Sequence, residues 1–132
     1  MALSARAPVR LFTAAPYLRV DDAARAIAFY IAVFNTTEVV RLLEPGGRVA
    51  HAELRLGAAG DASLMLSDEY PEFNLLGPRA RGGYTVALQH YVDDVDSISA
   101  RAVTAGGTLL KAGAEDPFGD RAAKLIDPCG HE

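Results

Sequence analysis

The sequence lacks several features that mark whole classes of protein. Of its 132 residues one is a cysteine, Cys129, and none is a tryptophan. A single cysteine cannot form an internal disulfide, which fits a reducing compartment. The apolar stretch that follows Arg6 and Arg10 ends at Pro16, so we predict neither a signal peptide nor a membrane-spanning segment.

An excess of basic residues is also missing. Thirteen Lys and Arg residues against seventeen Asp and Glu residues give a formal net charge of −4, which argues against binding to nucleic acid or to an anionic membrane. Half of the residues are hydrophobic and 23% are charged, which is typical of a globular protein rather than a disordered one. We therefore expect a single, acidic, cytoplasmic domain over residues 1–132.

What the sequence does contain is an internal repeat. The segment 17–23, YLRVDDA, resembles the segment 90–95, HYVDDV, with Val20 falling on Val92. Each copy predicts a strand and then a helix, because Asp22 and Asp94 precede apolar residues at helical spacing and can cap the first turn. The apolar face of the first helix is predicted to contain Ile27, Tyr30, Ile31 and Phe34. By the same alignment, Asn35 and Gly107 are expected to end the two helices in the left-handed conformation.

Strands follow each helix. They are predicted at 36–42, 49–56 and 62–67 in the first copy and at 108–112 and 121–126 in the second, with a connector at about 68–83. The sequence thus predicts an α+β fold of two tandem βαβββ modules, module one at about 12–70 and module two at about 84–132. The last strand starts at His131 and Glu132 and is not completed, so we expect the natural chain to continue, because an open edge would expose unpaired backbone groups.

This pattern resembles the vicinal oxygen chelate superfamily, which includes glyoxalases, extradiol dioxygenases and bleomycin-binding proteins, and within it the PhnB-like group. The matching stretches, in chain order, are PYLRV at 16–20, IAFY at 27–30, HAEL at 51–54, LMLSD at 64–68, YVDDVD at 91–96, GDR at 119–121 and DPCGH at 127–131. Their order and spacing carry the resemblance. In the PhnB-like group a Trp usually follows the final Gly-His pair; this sequence has no Trp and ends one residue after His131. The resemblance implies a cup-shaped, partly open mixed β-sheet with helices outside, and a homodimer.

Alternation along the strands predicts which side chains face the inside of the cup, because the side that faces the helix must be apolar. Leu18, Val20, Leu64 and Leu66 pack on the first helix, and Val86, Leu88 and Val92 of a predicted strand within 84–92 pack on the second. The side chains predicted to face inward are Ala15, Tyr17, Arg19, His51, Glu53, Arg55, Ser63, Met65, Ser67, Ala87, Gln89 and Tyr91.

The resemblance also implies where a metal would bind. Metal-dependent members chelate a divalent cation with a residue from the first strand and one from the fourth strand of each module, usually His and Glu. Those positions fall on Ala15, Ala87 and Met65, and the last lies beyond Glu132. An alanine cannot coordinate a cation and a thioether is a poor ligand for Mg, Mn, Zn or Fe. We therefore predict no metal ligand and no cofactor.

The leading hypothesis is a protein that binds an unidentified small molecule in the cleft between the modules. The predicted ligand-binding residues are Tyr17, Arg19, His51, Glu53, Gln89 and Tyr91, with Phe118 as a lid. No catalytic residue is assigned. One alternative is a metal-dependent lyase, isomerase or dioxygenase that uses His51 and Glu53 as nonstandard ligands, and another is a dimeric interaction module with a filled cup. Simpler interpretations also stand: Glu53 pairs with Arg55 or Arg19, His90 is a buried or edge histidine, and His131 serves hairpin geometry or an interface.

Overall fold

The computed structural model describes residues 14–57 and 62–132. Within them the helices and strands, in chain order, are β1 (Tyr17–Val20), α1 (Ala23–Phe34), β2 (Thr37–Leu43), β3 (Val49–Leu56), β4 (Ala62–Asp68), α2 (Pro78–Arg81), α3 (Val95–Thr104), β5 (Thr108–Glu115) and β6 (Arg121–Ile126). The predicted α+β class is confirmed, as a curved, unclosed sheet with helices. None of the helices in these two ranges is long and apolar enough to cross a membrane.

The first module has the predicted βαβββ order. Its four strands form one sheet in the order β1-β4-β3-β2, in which β1 runs parallel to β4 and the other pairs are antiparallel. Leu18, Val20, Leu64 and Leu66 are buried against α1, as the alternation predicts. The opposite, concave face of this sheet therefore carries the polar residues of β1, β3 and β4.

Helix α1 begins and ends where the sequence predicts. The Asp22 carboxylate accepts a hydrogen bond of 3.0 Å from the Arg25 N–H, and Asn35 closes the helix with φ at 52°. The predicted apolar face is partly wrong, because Ile31 is 39% exposed while Phe29 and Val33 are buried. The sequence of α1 is apolar on nearly every side, and the helix packs against α3 as well as the sheet. The spacing of its apolar residues therefore does not by itself decide which of them are buried.

The second module is less complete. Helix α3 is capped by Asp94 as predicted, and β5 pairs with β6 in a two-stranded antiparallel sheet. The left-handed residue after α3 is Gly106, with φ at 101°, not Gly107 as the repeat suggests. Gly107 is constrained differently, because an added Cβ would lie 3.0 Å from the Phe29 ring and from the Ala102 carbonyl.

The prediction of a strand within 84–92 is wrong. That segment belongs to neither a helix nor a strand, and the Leu88 N–H donates a hydrogen bond to the Glu132 carbonyl. Val86, predicted to pack on a helix, is 71% exposed. Alternating apolar residues specify a strand only where a neighbouring strand accepts its backbone groups, and the described residues place none beside 84–92.

The predicted connector contains two short ordered pieces, a 3-10 turn at Pro71–Phe73 and α2. Gly77, immediately before α2, lies against β1: a Cβ built on it would approach the Arg19 carbonyl oxygen to 2.7 Å. The connector therefore contacts the first strand beside a predicted site residue.

Candidate functional site

Tyr17, Arg19 and His51 form a compact cluster on the concave face of the first sheet. The Tyr17 hydroxyl lies 2.9 Å from His51 Nδ1, and their ring centroids are 5.5 Å apart. The Arg19 guanidinium carbon lies 4.5 Å from the centroid of the Tyr17 ring, within the range of a cation–π interaction. Because β4 separates β1 from β3, the Tyr17 side chain reaches across one whole strand to meet His51.

Ser67 fixes the other side of the Arg19 guanidinium. Arg19 Nη1 donates a hydrogen bond of 2.6 Å to Ser67 Oγ, and that hydroxyl donates in turn to the Asp68 carbonyl at 2.8 Å. Since the serine proton is committed to Asp68, its oxygen is oriented to accept from Arg19. Among the described residues, the Arg19 side chain is thus held by a hydroxyl and an aromatic ring and not by a carboxylate.

The Asp68 side chain anchors the end of β4. Its two carboxylate oxygens accept hydrogen bonds of 2.7 Å from the Ala23 and Val49 backbone N–H groups. One bond reaches the first turn of α1, whose amide groups have no partner within the helix, and the other reaches the start of β3. Asp68 therefore ties β4, β3 and α1 together directly beside Ser67, a role that the sequence analysis did not assign.

Glu53 and Arg55 continue the same face along β3. Glu53 is 2% exposed, and its Oε1 lies 3.5 Å from Arg55 Nη2. Glu53 thus pairs with Arg55, as its simpler interpretation expects, but it does so as a buried residue and not in a solvated wall. Within the sheet Glu53 is level with Met65 and, one strand further, with Tyr17. The Glu53 side chain therefore lies next to that of His51 along the same face of β3.

The end of the second module supports Arg19 from its backbone side. His131 Nε2 lies 2.9 Å from the Arg19 carbonyl oxygen, and because a carbonyl only accepts, the histidine donates this bond. The backbone N–H of His131 donates to Asp127 Oδ1 at 3.1 Å. His131 thus serves both the turn at 127–131 and an interface with β1, as its simpler interpretation predicts.

Asp127 is the centre of this turn and is 4% exposed. Tyr30 of α1 donates a hydrogen bond of 2.7 Å to Asp127 Oδ2, while Oδ1 also accepts from the Cys129 N–H at 2.8 Å. Burial, and then the nearby Asp127 charge, hold the pKa of Tyr30 well above its usual value. The Cys129 thiol is 1% exposed, and burial raises its pKa to about 12, so it is not an activated nucleophile.

The second-module residues that were predicted to line the site do not join this cluster. Gln89 and Tyr91 are exposed and bond to each other at 3.3 Å. Phe118 stands at the tip of the β5–β6 turn with 92% of its surface exposed. His90 contacts Phe34, with ring centroids 4.7 Å apart, and partial burial lowers its pKa.

Two shallow grooves lie away from the cluster. One, of about 440 Å³, runs between α3 and β5 beside Val103 and Leu109. The other, of about 360 Å³, lies between α2 and the β5–β6 sheet beside Tyr84. Neither is lined by Tyr17, Arg19 or His51.

Comparison with known proteins identifies the family. Residues 10–132 match the Glyoxalase/Bleomycin resistance protein/Dioxygenase superfamily. The chain belongs to this superfamily. An uncharacterised protein of Mycobacterium bovis is 38% identical over 119 residues, which are 88% of this chain and 76% of that protein.

Solved structures of the glyoxalase fold are also similar to this chain. A glyoxalase-related enzyme from Fulvimarina pelagi superposes with a TM-score of 0.67 at 23% identity, covering 92% of this chain and 84% of that one. A glyoxalase/bleomycin resistance protein/dioxygenase family enzyme from Burkholderia phytofirmans PsJN gives a TM-score of 0.60 at 25% identity, covering 85% and 87%. The superfamily predicted from the sequence is thus confirmed.

The metal positions of this glyoxalase-superfamily chain do not fit a divalent cation. Met65 lies level with Tyr17 in β1 and Glu53 in β3, so the fourth-strand position presents a thioether between a phenol and a buried acid. Ala15 offers a methyl group. Within 14–57 and 62–132 no three His, Cys, Asp or Glu side chains are grouped closely enough to hold a metal ion.

Proposed function

We propose that this superfamily member binds a small organic molecule on the concave face of its first sheet, without the usual divalent metal. One observation carries the proposal: the Tyr17 ring is 41% exposed yet is fixed by both Arg19 and His51. An aromatic surface that is open and already ordered loses little conformational entropy when a ligand packs on it.

The superfamily supports this choice, since it includes bleomycin resistance proteins. We also assign the chain to the PhnB-like group, for which the DPCGH turn and its contact with β1 are the supporting features. The names of its relatives do not identify a substrate, so the ligand class rests on the chemistry of the face itself.

The test of this proposal is a titration of the full chain with phenylpropanol, a neutral aromatic probe, followed by amide chemical shifts. We expect the shifts to concentrate on β1, β3 and β4, and Tyr17→Ala to weaken binding at least fivefold. Phe73→Ala is the matched control, because Phe73 is a 69% exposed aromatic residue of the connector. Shifts confined to the two grooves, or equal losses in both variants, would contradict the proposal.

We further propose a homodimer in which the second module of one copy covers the first sheet of the other. The exposed apolar residues of β2 and the β5–β6 turn support it, namely Val39, Leu42, Leu43 and Phe118. In this arrangement Gln89 and Tyr91 join the binding surface across the two copies. Light scattering is expected to give a dimer mass, with Tyr91→Ala weakening probe binding; a monomer mass with unchanged Tyr91→Ala binding would contradict it.

A metal-dependent lyase, isomerase or dioxygenase remains the second candidate, because His51 and Glu53 project from the same face of β3 and Glu53 is buried. Thermal melting with Ni²⁺, Zn²⁺, Mn²⁺ or Fe²⁺, with and without a chelator, separates the two. A metal at one hundred times its dissociation constant stabilises a fold by about 2.7 kcal/mol. A chelator-sensitive shift of that size, lost in His51→Ala and Glu53→Gln, would replace the first candidate with the second.

A further inference from the structure

Arg19 is a cation that no carboxylate among the described residues neutralises. Arg55, on the same face, pairs with Glu53 at 3.5 Å, whereas the Arg19 side chain makes its hydrogen bond to the Ser67 hydroxyl. The residue is half-buried, since Tyr17 covers one face of its guanidinium. A guanidinium is always charged in proteins, so this point of the concave face holds an uncompensated positive charge.

The guanidinium also has donors to spare. It has five N–H groups in a rigid fork. Among the described residues, the acceptor for these groups is the Ser67 hydroxyl, which takes one hydrogen bond. The fork matches the two oxygens of a carboxylate. The Ser67 hydroxyl donates its own proton to the Asp68 carbonyl and accepts one bond from Arg19. It therefore orients the guanidinium and leaves its other N–H groups available to a ligand.

The sheet register places an apolar surface at a fixed distance from this charge. Arg19 lies level with Ser67, His51 lies level with Leu42, and the pairing of Ala52 with Leu66 brings His51 opposite Ser67. The row Arg19, Ser67, His51 and Leu42 therefore crosses β1, β4, β3 and β2. At strand spacings of about 4.8 Å it spans roughly 14 Å, with a cation at one end and a 54% exposed leucine at the other.

The neighbouring row limits the charge of what binds. Glu53 lies one row away and is level with Met65 and Val40. It pairs with Arg55, so among the described residues Arg19 is the cation of this face that lacks a carboxylate partner, and one guanidinium balances one negative charge. The face therefore suits one singly charged anionic group rather than a dianion such as a phosphate monoester.

We infer that the ligand is a monocarboxylate with an apolar body, whose carboxylate binds the Arg19 guanidinium and whose body packs across His51 toward Leu42. This inference rests on the proposed function and names the class of molecule that the same face selects.

Three probes that share a phenylalkyl body and differ in their polar group test this inference: phenylpropionate, phenylpropanol and phenylpropyl phosphate, each titrated into the full chain. We expect the wild type to bind the carboxylate about tenfold more tightly than the alcohol, as a charge-assisted hydrogen bond allows, and more tightly than the phosphate. Arg19→Gln is expected to abolish the preference for the carboxylate, because it removes the cation, and to weaken alcohol binding less than carboxylate binding. Arg41→Gln is the matched control, because Arg41 pairs with Glu38 on β2 and lies level with Ala52 of the helix-facing side.

The outcomes separate this inference from the proposed function. Equal affinities for carboxylate and alcohol, with shifts on β1, β3 and β4, would overturn the inference and leave the proposed function standing. Phosphate binding tighter than carboxylate binding would overturn the choice of a monoanion. No binding of any probe to the first sheet would overturn both.

A measurement on the wild type alone tests the same ion pair even if the Arg19→Gln variant does not fold. Because added salt screens a partly exposed ion pair, raising NaCl is expected to weaken phenylpropionate binding several-fold and to leave phenylpropanol binding unchanged. A carboxylate affinity independent of salt would count against Arg19 as the partner.

Discussion

Replacing Tyr30 by phenylalanine tests the buried contact between α1 and the turn at 127–131. The substitution keeps the ring and removes the hydroxyl that donates a 2.7 Å hydrogen bond to Asp127 Oδ2. Asp127 is 4% exposed, and its other donors among the described residues, the Cys129 and His131 N–H groups, bind Oδ1. The change therefore leaves a buried carboxylate oxygen without the donor it had.

The magnitude follows from that loss. A hydrogen bond to a charged group contributes about 1.5–3 kcal/mol, so we expect Tyr30→Phe to lower the free energy of unfolding by about 2 kcal/mol. For a chain of 132 residues this corresponds to a fall in Tm of roughly 6–10 °C. Urea unfolding at constant m-value measures the change. Tyr91→Phe is the control, because Tyr91 is 78% exposed, and its effect is expected to stay below about 0.5 kcal/mol.

The same contact predicts a pH dependence. Burial, followed by the Asp127 charge, raises the pKa of Tyr30 in the folded chain, while the unfolded tyrosine ionises near pH 10. Its contribution is fully present below about pH 10 and is lost as the pH rises through the folded pKa. Stability of the wild type should therefore fall more steeply above pH 10 than that of Tyr30→Phe. A Tyr30→Phe variant as stable as the wild type, with an equal alkaline slope, would refute the reasoning.

Three further predictions concern other contacts. Gly77→Ala forces a Cβ to within 2.7 Å of the Arg19 carbonyl, so we expect a loss of about 1–3 kcal/mol in urea unfolding together with weaker probe binding; unchanged values for both would show that the connector can move away. Cys129, with burial raising its pKa to about 12, is expected to resist a thiol reagent in the native chain and to react only on unfolding, and labelling at the rate of a free thiol would contradict this. Asp22→Ala removes the cap of α1 and should cost about 1 kcal/mol, whereas Asp93→Ala, next to the other cap, should cost less than about 0.5 kcal/mol; equal losses would argue against the cap.

The first module was predictable because local patterns and tertiary contacts agree there. The bounds of β3, the cap at Asp22 and the left-handed Asn35 all match, and each rests on a residue whose chemistry acts on its own backbone. Alternation then placed His51 and Glu53 on the concave face, because Ala52 and Leu54 between and after them are fully buried.

The contacts that assemble the site were not predictable in the same way. The order β1-β4-β3-β2 decides that Tyr17 must cross β4 to meet His51, and no spacing along the chain encodes that order. The bond from His131 to the Arg19 carbonyl joins residues 112 positions apart. A histidine in a turn has no local signature for such a partner.

The unequal success in the two modules has a single physical origin. Alternating apolar and polar residues fix which way a strand's side chains point only when one face of the sheet is covered. In the first sheet α1 covers that face, so Leu54, Leu64 and Leu66 are fully buried. In β5 nearly every residue is exposed on both faces, and 84–92 belongs to no strand, so the same alternation fixes no side-chain orientation there.

This difference also explains why the candidate site lies on the first module and still depends on the second. The concave residues gain fixed positions from a fully paired sheet, but β1 is its edge strand, and an edge strand needs support from outside. That support comes at the Arg19 carbonyl, from His131 and from the close approach of Gly77. A change in the turn at 127–131 should therefore act on the candidate site through the β1 backbone at Arg19, which His131 contacts.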